Sequence, residues 1–317
     1  MSGYRTETRL TPGCRLELKR WYQHRFHTPS SHQIVFAIMP RVPRFLHPPI
    51  AAVTALVFYI MLTHERRAVM KNLHPIKGST GMALKWKTYR TFYSFCDLIV
   101  AYCYVPHASH SQLIDMLVDP ERGADKIERC LAKGNGLIVW TAHLGNFEFA
   151  SRLLEMHGKT VHVARVVESN PAEAMLRDLM TNERLRIVDL SQGAVATIEL
   201  LYALRRNEIV AMQGDRVYQG FSADLPFFSG HASFPLGPFL LSLVSGAPVL
   251  PGFVVRDGWL RYRALMGDPI LPVSTGDQDA DLKTGLGQAV RYLEDTLKTH
   301  DDQWFNFFEF WSAGPHE

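Results

Sequence analysis

The sequence predicts an α/β protein: a mixed, largely parallel central sheet flanked by helices, with an N-terminal membrane-associating helical extension. Three observations predict it. From Ala124 onward, short apolar runs alternate with segments of helical period, the pattern of strands joined by crossover helices. Hydrophobic residues make up 47% and charged residues 21% of the 317 positions, enough for a sizeable core and far from a disordered composition. The charge is lopsided: residues 1–90 carry 15 Lys/Arg against 3 Asp/Glu, while the remainder carries 19 against 28. A basic first third on a mildly acidic remainder implies a polyanionic partner for that third alone, either nucleic acid or an anionic membrane surface.

The apolar content of the same third separates the two. Phe45 to Thr63, FLHPPIAAVTALVFYIMLT, is dominated by apolar residues, with His47-Pro48-Pro49 breaking it early. The uninterrupted piece, Ile50 to Thr63, is about 14 residues, short of the roughly 20 needed to span a bilayer as a helix. It lies too far from the start, and has the wrong shape, for a cleavable signal peptide. Arg41 and Arg44 precede it, and Arg66, Arg67 and Lys71 follow. An apolar helix bracketed by cations fits a monotopic or interfacial anchor; a buried core helix with solvated flanks is the alternative. Positive charge interleaved with such a segment argues against nucleic acid. The four cysteines, Cys14, Cys96, Cys103 and Cys130, show neither metal-like nor paired spacing, which suggests a reducing compartment and no disulfide framework.

In chain order, residues 1–30 are polar and basic, with a short helix expected near Arg15 to His24. The apolar helix follows, then a helical stretch ending at His74-Pro75, a loop at Gly78–Gly81 and a long aromatic-rich helix from Met82 to Tyr104. Such a stripe belongs to a core or an interface more often than to a cofactor site. The expected strands are Leu137–Trp140, Thr160–Val166, Arg186–Leu190, Glu208–Met212, Pro248–Val255 and Trp259–Leu265, the last two forming a hairpin at Asp257-Gly258. The expected helices are Ala124–Lys133, Phe147–His157, Pro171–Glu183, Ala194–Arg206, Pro238–Ser245 and Asp281–Lys298. The layout divides into residues 1–105, the helical membrane-associating region, and 106–317, the α/β domain, together one structural unit.

Four turns hold polar residues that a core does not need. The first, WTAHLGNFEFA, runs from the first strand into a helix and carries His143 and Glu148. A neutral imidazole is a natural general base, and a nearby carboxylate would orient it; Asn146 reads as a helix cap. No GxSxG occurs and no cysteine sits at such a turn, so the base is expected to activate a substrate's own hydroxyl or amine. HxxxxE is not HExxH, and His157, His162 and His231 show no helical pairing with His143, so no metal is expected. The second turn, Gln213-Gly214-Asp215-Arg216, offers a guanidinium for a phosphate or an oxyanion, or else a structural Asp215–Arg216 pair. The third, Phe234-Pro235-Leu236-Gly237-Pro238, opens a helix whose first amides suit an anion, or is an ordinary helix start. The fourth is Arg165 at a strand end with Asn170 beyond, a phosphate contact or a surface residue.

Taken in order, the strand–HxxxxE–helix unit, the strand–GDR turn, FPxGP and the stretch SGAPVLP (Ser245–Pro251) resemble the lysophospholipid-acyltransferase-like superfamily. The branch most resembled is the lipid A late (lauroyl and myristoyl) acyltransferases and related bacterial lipid acyltransferases, over roughly residues 30–311 and including Arg67–Leu73. The resemblance implies an acyltransferase in which His143 deprotonates the acceptor hydroxyl, Glu148 polarises His143, and Arg216 with the Phe234–Pro238 turn stabilises an oxyanion or binds phosphate. It implies an acyl carrier protein or coenzyme A thioester as co-substrate, no cofactor, a lipid acceptor, and a place on the cytoplasmic face of the bacterial inner membrane, peripheral or held by one N-terminal anchor. Where such enzymes tend to end in a basic stretch after a tryptophan, this chain has Gln303–Trp311, QWFNFFEFW, aromatic and mildly acidic, readable as an amphipathic helix. The acceptor therefore stays open between a lipid A precursor, an aminolipid, a phosphatidylinositol mannoside and a polyene lipid. An acyl-thioester hydrolase and a non-catalytic lipid- or carrier-binding module are the alternative functions.

Overall fold

The computed structural model describes residues 29–167, 171–218, 220–271 and 274–311. The short helix expected near Arg15–His24, and the positions of Cys14 and Asn170, lie outside them.

Among the described residues four α-helices come first: α1 (Pro29–Ile38), α2 (His47–Met61), α3 (Thr63–Lys77) and α4 (Gly81–Ala101). The His47-Pro48-Pro49 segment is not a break but the first turn of α2, where a proline's missing N–H costs nothing. The apolar stretch is therefore longer than the sequence suggested. Arg44–Met61 gives 18 residues, long and apolar enough to cross a membrane, yet only 17% of it is buried in the protein. Buried His47 Nε2 bonds the carbonyls of Met39 (3.1 Å) and Val42 (3.0 Å), stapling the turn before α2. Ala51 and Ala55, one helical turn apart, are buried, and α2 packs on α4. The Tyr89 hydroxyl donates to the Ala52 carbonyl across that contact. The opposite face of α2 stays bare, with Val53 64% and Ile60 59% exposed. α3 runs past Pro75 to Lys77 and ends at Gly78, whose left-handed conformation (φ 59°) lets its N–H close on the His74 carbonyl.

The aromatic stripe of α4 is core in part: Phe92 and Phe95 pack on Phe307, with ring centroids 5.4 and 5.1 Å apart, while Trp86 at the other end is exposed. Cys96 is buried there, its thiol pushed up to about 12 by burial, which leaves it a small apolar side chain. Asp97 is also buried, accepting from the Leu260 N–H (3.0 Å) and the Tyr262 hydroxyl (2.8 Å). Burial pushes its carboxyl up to about 6. A folded-state value above the unfolded one means that this site's contribution to stability is full below about pH 4 and is lost as pH rises through about 6. Asp97→Asn is therefore expected to be more stable than the parent near pH 8 and no more stable near pH 4; guanidinium unfolding at both values checks it.

The α/β part follows: α5 (His110–Asp115), α6 (Ala124–Leu131), β1 (Leu137–Thr141), α7 (Phe147–Leu154), β2 (Val161–Arg165), α8 (Pro171–Met180), β3 (Leu185–Asp189), α9 (Ala194–Arg205), β4 (Ile209–Gln213), β5 (Ser222–Phe227), β6 (Gly230–Pro235), α10 (Gly237–Ser245), β7 (Val249–Gly258), β8 (Arg261–Met266) and α11 (Gln278–His300). Six strands form one sheet in the order β3-β2-β4-β1-β7-β8, parallel except for β8, which runs antiparallel to β7. The mixed, largely parallel sheet flanked by helices is the fold class the sequence predicted. The β7–β8 hairpin closes two residues later than expected, at Trp259-Leu260, with Leu260 at φ 51°. Alternate residues of the inner strands face opposite layers. Leu137, Val139, Ile209 and Ala211 join Ile127 and Leu154 on the α6–α7 side, while Ile138, Trp140, Val210 and Met212 join Ala203 and Leu241 on the α9–α10 side.

The antiparallel pair β5–β6 was not anticipated. The sequence places Pro235 in the turn that opens the next helix, but a two-stranded ribbon tolerates proline at positions that donate to no neighbour. The aromatic segment after α11 is not an amphipathic helix either. A short 3-10 turn (Asp301–Gln303) leads into a non-helical stretch buried through Phe307. Lys87 pairs with Asp301, and Arg90 with Asp302 at 2.8 Å. Asn72 donates to the carbonyls of Asn306 (2.8 Å) and Phe308 (2.6 Å) and accepts from the Phe310 N–H (2.9 Å). An irregular, non-helical stretch with aromatic residues on both sides suits two packed layers, one from α4 and one from the β5–β6 ribbon.

Candidate active site

β1 and β4 are neighbours, but the chain leaves them in opposite directions, from β1 towards β2 and from β4 towards β7. The crevice beyond their carboxyl ends is thus a topological switch point, where open α/β sheets place ligands. Register fixes what stands there. Thr141 pairs with Gln213, and the Gly214 N–H bonds the Thr141 carbonyl (2.8 Å), so the ladder continues one step past the strands. Two residues beyond that pair, His143 meets Asp215. The imidazole Nδ1 lies 2.8 Å from Asp215 Oδ1, and the His143 backbone N–H reaches both carboxylate oxygens at 3.2 Å.

The carboxylate that holds His143 is therefore Asp215, not Glu148 as the sequence suggested. Equal offsets from two adjacent parallel strands superpose residues 143 and 215. Glu148, on the first turn of α7, faces α4 and β2, where its Oε1 accepts from the Tyr102 hydroxyl (2.8 Å) and from Arg165 Nη1 (3.4 Å). Asn146 caps α7, its Oδ1 accepting from the Phe149 N–H at 2.8 Å.

Asp215 is fully buried and surrounded by donors. Trp304 Nε1 (3.0 Å) and Asn306 Nδ2 (3.5 Å) join His143 on it. Burial alone would raise its carboxyl, but His143, Arg216 and Trp304 together hold it well below the usual carboxylate range. An ionised Asp215 fixes the proton on Nδ1 and leaves Nε2 as the acceptor. Burial, then the Arg216 charge, lowers the His143 imidazole from its ordinary value of 6.5 against the pull of Asp215. His143 is thus neutral at neutral pH.

The aromatic C-terminal segment pins this turn. The Phe305 N–H donates to the His143 carbonyl (2.8 Å) and the Gly145 N–H to the Gln303 carbonyl (2.9 Å), while the Asn146 N–H bonds Val254 of β7 (2.7 Å). Arg216 is tied to the same segment, Nε to Asn306 Oδ1 and Nη2 to the Phe305 carbonyl, both at 2.8 Å, with the guanidinium 5.0 Å above the Phe308 ring. Trp304 and Asn306 are site residues that the sequence reading missed. The available signal was a run of hydrogen-bonding side chains, Gln303, Trp304 and Asn306, inside an otherwise apolar stretch.

Two cavities meet here. The larger, about 440 Å³, lies between the sheet end and the first helices, lined by His143, Arg216, Tyr218 and the apolar side chains of α2 and α4. The smaller, about 230 Å³, runs between the sheet and α6–α7 past Thr141, Val139, Ile127 and Met266. Phe147, Glu148, Ala164, Arg165 and Gln213 line both and form the neck. Among the predicted site residues, His143, Glu148, Arg165 and Arg216 line one or both cavities, and Asp215 stands behind His143. Phe234, Pro235 and Gly237 line neither cavity. Phe234 is fully buried against Phe227 and Phe310, so its turn shapes the core beneath the C-terminal segment. Among the described residues, no group of three or more His, Cys, Asp or Glu side chains is placed to hold a metal ion.

The chain is similar to known proteins over the part that holds this site. The phosphatidylinositol mannoside acyltransferases of two strains of Mycobacterium tuberculosis are each 27% identical over 175 residues. The match spans 55% of this chain and 55% of either relative, so the chain spans about half the length of the curated relatives it matches. The family described as bacterial lipid A biosynthesis acyltransferase matches residues 25–312, nearly the whole chain and every element of the site, and the chain belongs to that family.

Proposed function

We propose that the protein moves a fatty acyl group from a thioester of acyl carrier protein or coenzyme A to a hydroxyl, or an amine, of a lipid acceptor at a membrane surface. One observation carries this reading: a neutral imidazole, held by a buried carboxylate, lines the larger of two apolar cavities, which join at a neck formed by Phe147, Glu148, Ala164, Arg165 and Gln213. His143 Nε2 takes the acceptor's proton and later returns it to the leaving thiolate, while Asp215 stabilises the imidazolium between the two transfers. The smaller cavity takes the acyl chain and the larger one the acceptor's own hydrocarbon. Arg165, Arg177 and Arg216 line the larger cavity and favour an acceptor with an anionic headgroup. A phosphorylated glycolipid, of the kind that the curated relatives' name describes, fits that chemistry. Glu148 sets Arg165 and Tyr102 at the neck. The reading needs no cofactor beyond the thioester itself.

Comparing the lipids of cells with and without the gene by mass spectrometry tests this. The expected result is the loss of one acylated lipid and the build-up of its form lacking that chain. An unchanged lipid profile, together with thioester hydrolysis that no lipid extract accelerates, would make the protein a hydrolase.

The bare face of α2 supplies the membrane contact. Val53, Leu56, Ile60 and Met61 are exposed on it, Phe45 and Leu46 lead into it, and Arg41 and Arg44 stand at its start. Such a helix lies in the interface, its apolar side in the acyl region and its cations among anionic headgroups, and opens the larger cavity towards its lipid substrate. Burying one such side chain stabilises by about 1.5–3 kcal/mol. Val53→Glu with Ile60→Glu is therefore expected to weaken binding to vesicles of phosphatidylethanolamine and phosphatidylglycerol by tenfold or more, with unchanged thermal unfolding. Equal flotation of variant and parent would remove this face from the membrane.

A further inference from the structure

Directly beneath His143 and Asp215, on the same face of the sheet, stand Thr141 and Gln213. They are paired across β1 and β4, one rung lower and so about 6–7 Å away along the strands. The Thr141 hydroxyl is buried, the residue being 9% exposed, and has no hydrogen-bond partner among the described residues. The half-buried Gln213 side chain bonds to no other described residue. The charged and polar side chains around His143 and the neck are committed: His143, Trp304 and Asn306 to Asp215, Glu148 to Tyr102 and Arg165, Arg216 to Asn306 and Phe305. A buried hydroxyl left unpaired costs about 1–3 kcal/mol, and folded proteins keep few of them. Both side chains border the smaller cavity, and Gln213 borders the larger one as well.

We propose that Thr141 Oγ–H and Gln213 Nε2–H hold the carbonyl oxygen of the donor thioester. The proposal rests on the acyl-transfer reading above and adds its electrophile-binding residues. An acyl chain in the smaller cavity brings its thioester to the neck, where this pair receives the oxygen and turns the carbonyl carbon towards His143. The acceptor O–H gives its proton to His143 Nε2 as its oxygen bonds the carbon. The carbonyl π pair moves onto the oxygen between Thr141 and Gln213. On collapse the C–S bond breaks, and the thiolate leaves with the proton from His143. Arg216 is poorly suited to this task because two of its donors are spent on the C-terminal segment.

The test is infrared difference spectroscopy of hexadecanoyl-coenzyme A, isotope-labelled at its carbonyl carbon, bound to the full chain carrying His143→Ala to stop turnover. The carbonyl band is expected at lower wavenumber with Thr141 and Gln213 present than with Thr141→Val and Gln213→Leu added, and Thr141→Ser is expected to restore part of the shift. In the His143-containing enzyme, each of these two apolar substitutions is expected to lower kcat by about 10²–10³-fold with KM changed little. A bound thioester whose carbonyl band is the same with and without the pair overturns the proposal but leaves the transferase reading standing. If neither this thioester nor the same labelled acyl group carried on acyl carrier protein binds either protein, both readings are overturned.

Discussion

Asp215→Asn is expected to slow acyl transfer by about 10³–10⁴-fold without unfolding the protein, whereas Glu148→Gln slows it by about tenfold, chiefly through KM. The asymmetry follows from what each carboxylate touches. Asp215 accepts from both His143 nitrogens that face it, backbone and ring, and its charge keeps the proton on Nδ1. An amide in its place offers an N–H to the ring, favours the other tautomer and blocks Nε2 as a base. The pH profile separates this from a loss of packing. Transfer needs neutral His143, so activity is present above the imidazole's pKa and is lost as pH falls through it. Burial and Arg216 already place that acid limb below the ordinary value of 6.5. Asp215 opposes them, so removing its charge moves the limb of kcat/KM to still lower pH while the plateau drops. If Asp215→Asn stays within tenfold of the parent and Glu148→Gln falls a thousandfold, the orienting carboxylate is Glu148 after all.

The contrast also shows what a single sequence can say about such a site. The main sheet was legible because each of its strands is a short apolar run between turn residues, and each crossover helix has its own period. His143 was legible because an imidazole between a strand and a helix has no structural duty. Its partner was not, since proximity along the chain favoured Glu148, five positions on, over Asp215, 72 positions on. The clue that did exist was positional. His143 and Asp215 each follow a strand end by two residues, and side chains two apart share a face, so pairing β1 with β4 puts them together. Choosing β4 as the neighbour of β1 was the missing step, because strand order is a long-range property that local pattern does not encode. The C-terminal segment failed for a related reason. QWFNFFEFW has aromatic residues at both helical and extended spacings, and only the two layers waiting on either side select the non-helical form.

The largest effect on the fold itself is expected at Gly145, between His143 and α7. Gly145 sits at φ 64°, in the left-handed region, and its N–H is spent on the Gln303 carbonyl. A methyl group here would lie 2.1 Å from the Val254 carbonyl oxygen and 2.9 Å from the Val255 Cα. These are backbone atoms of a central strand and have nowhere to go. Strain at φ adds about 1–3 kcal/mol, and overpacking against an immovable neighbour a similar amount. Gly145→Ala is thus expected to lose about 4 kcal/mol in denaturant unfolding, and any folded fraction to lose activity because the turn carries His143. Gly214→Ala makes the complementary case. Its φ is ordinary, but the new methyl would stand 1.8 Å from Nε1 of Trp140, a side chain with no exposed surface. The indole has to tilt within the α9–α10 layer, which lifts Gln213 and Asp215 away from β1 on the other face. Gly214→Ala is therefore expected to cost less stability than Gly145→Ala and as much activity. A Gly214→Ala protein that unfolds earlier yet keeps parental kcat would show that the register of β1 and β4 does not set the His143–Asp215 contact.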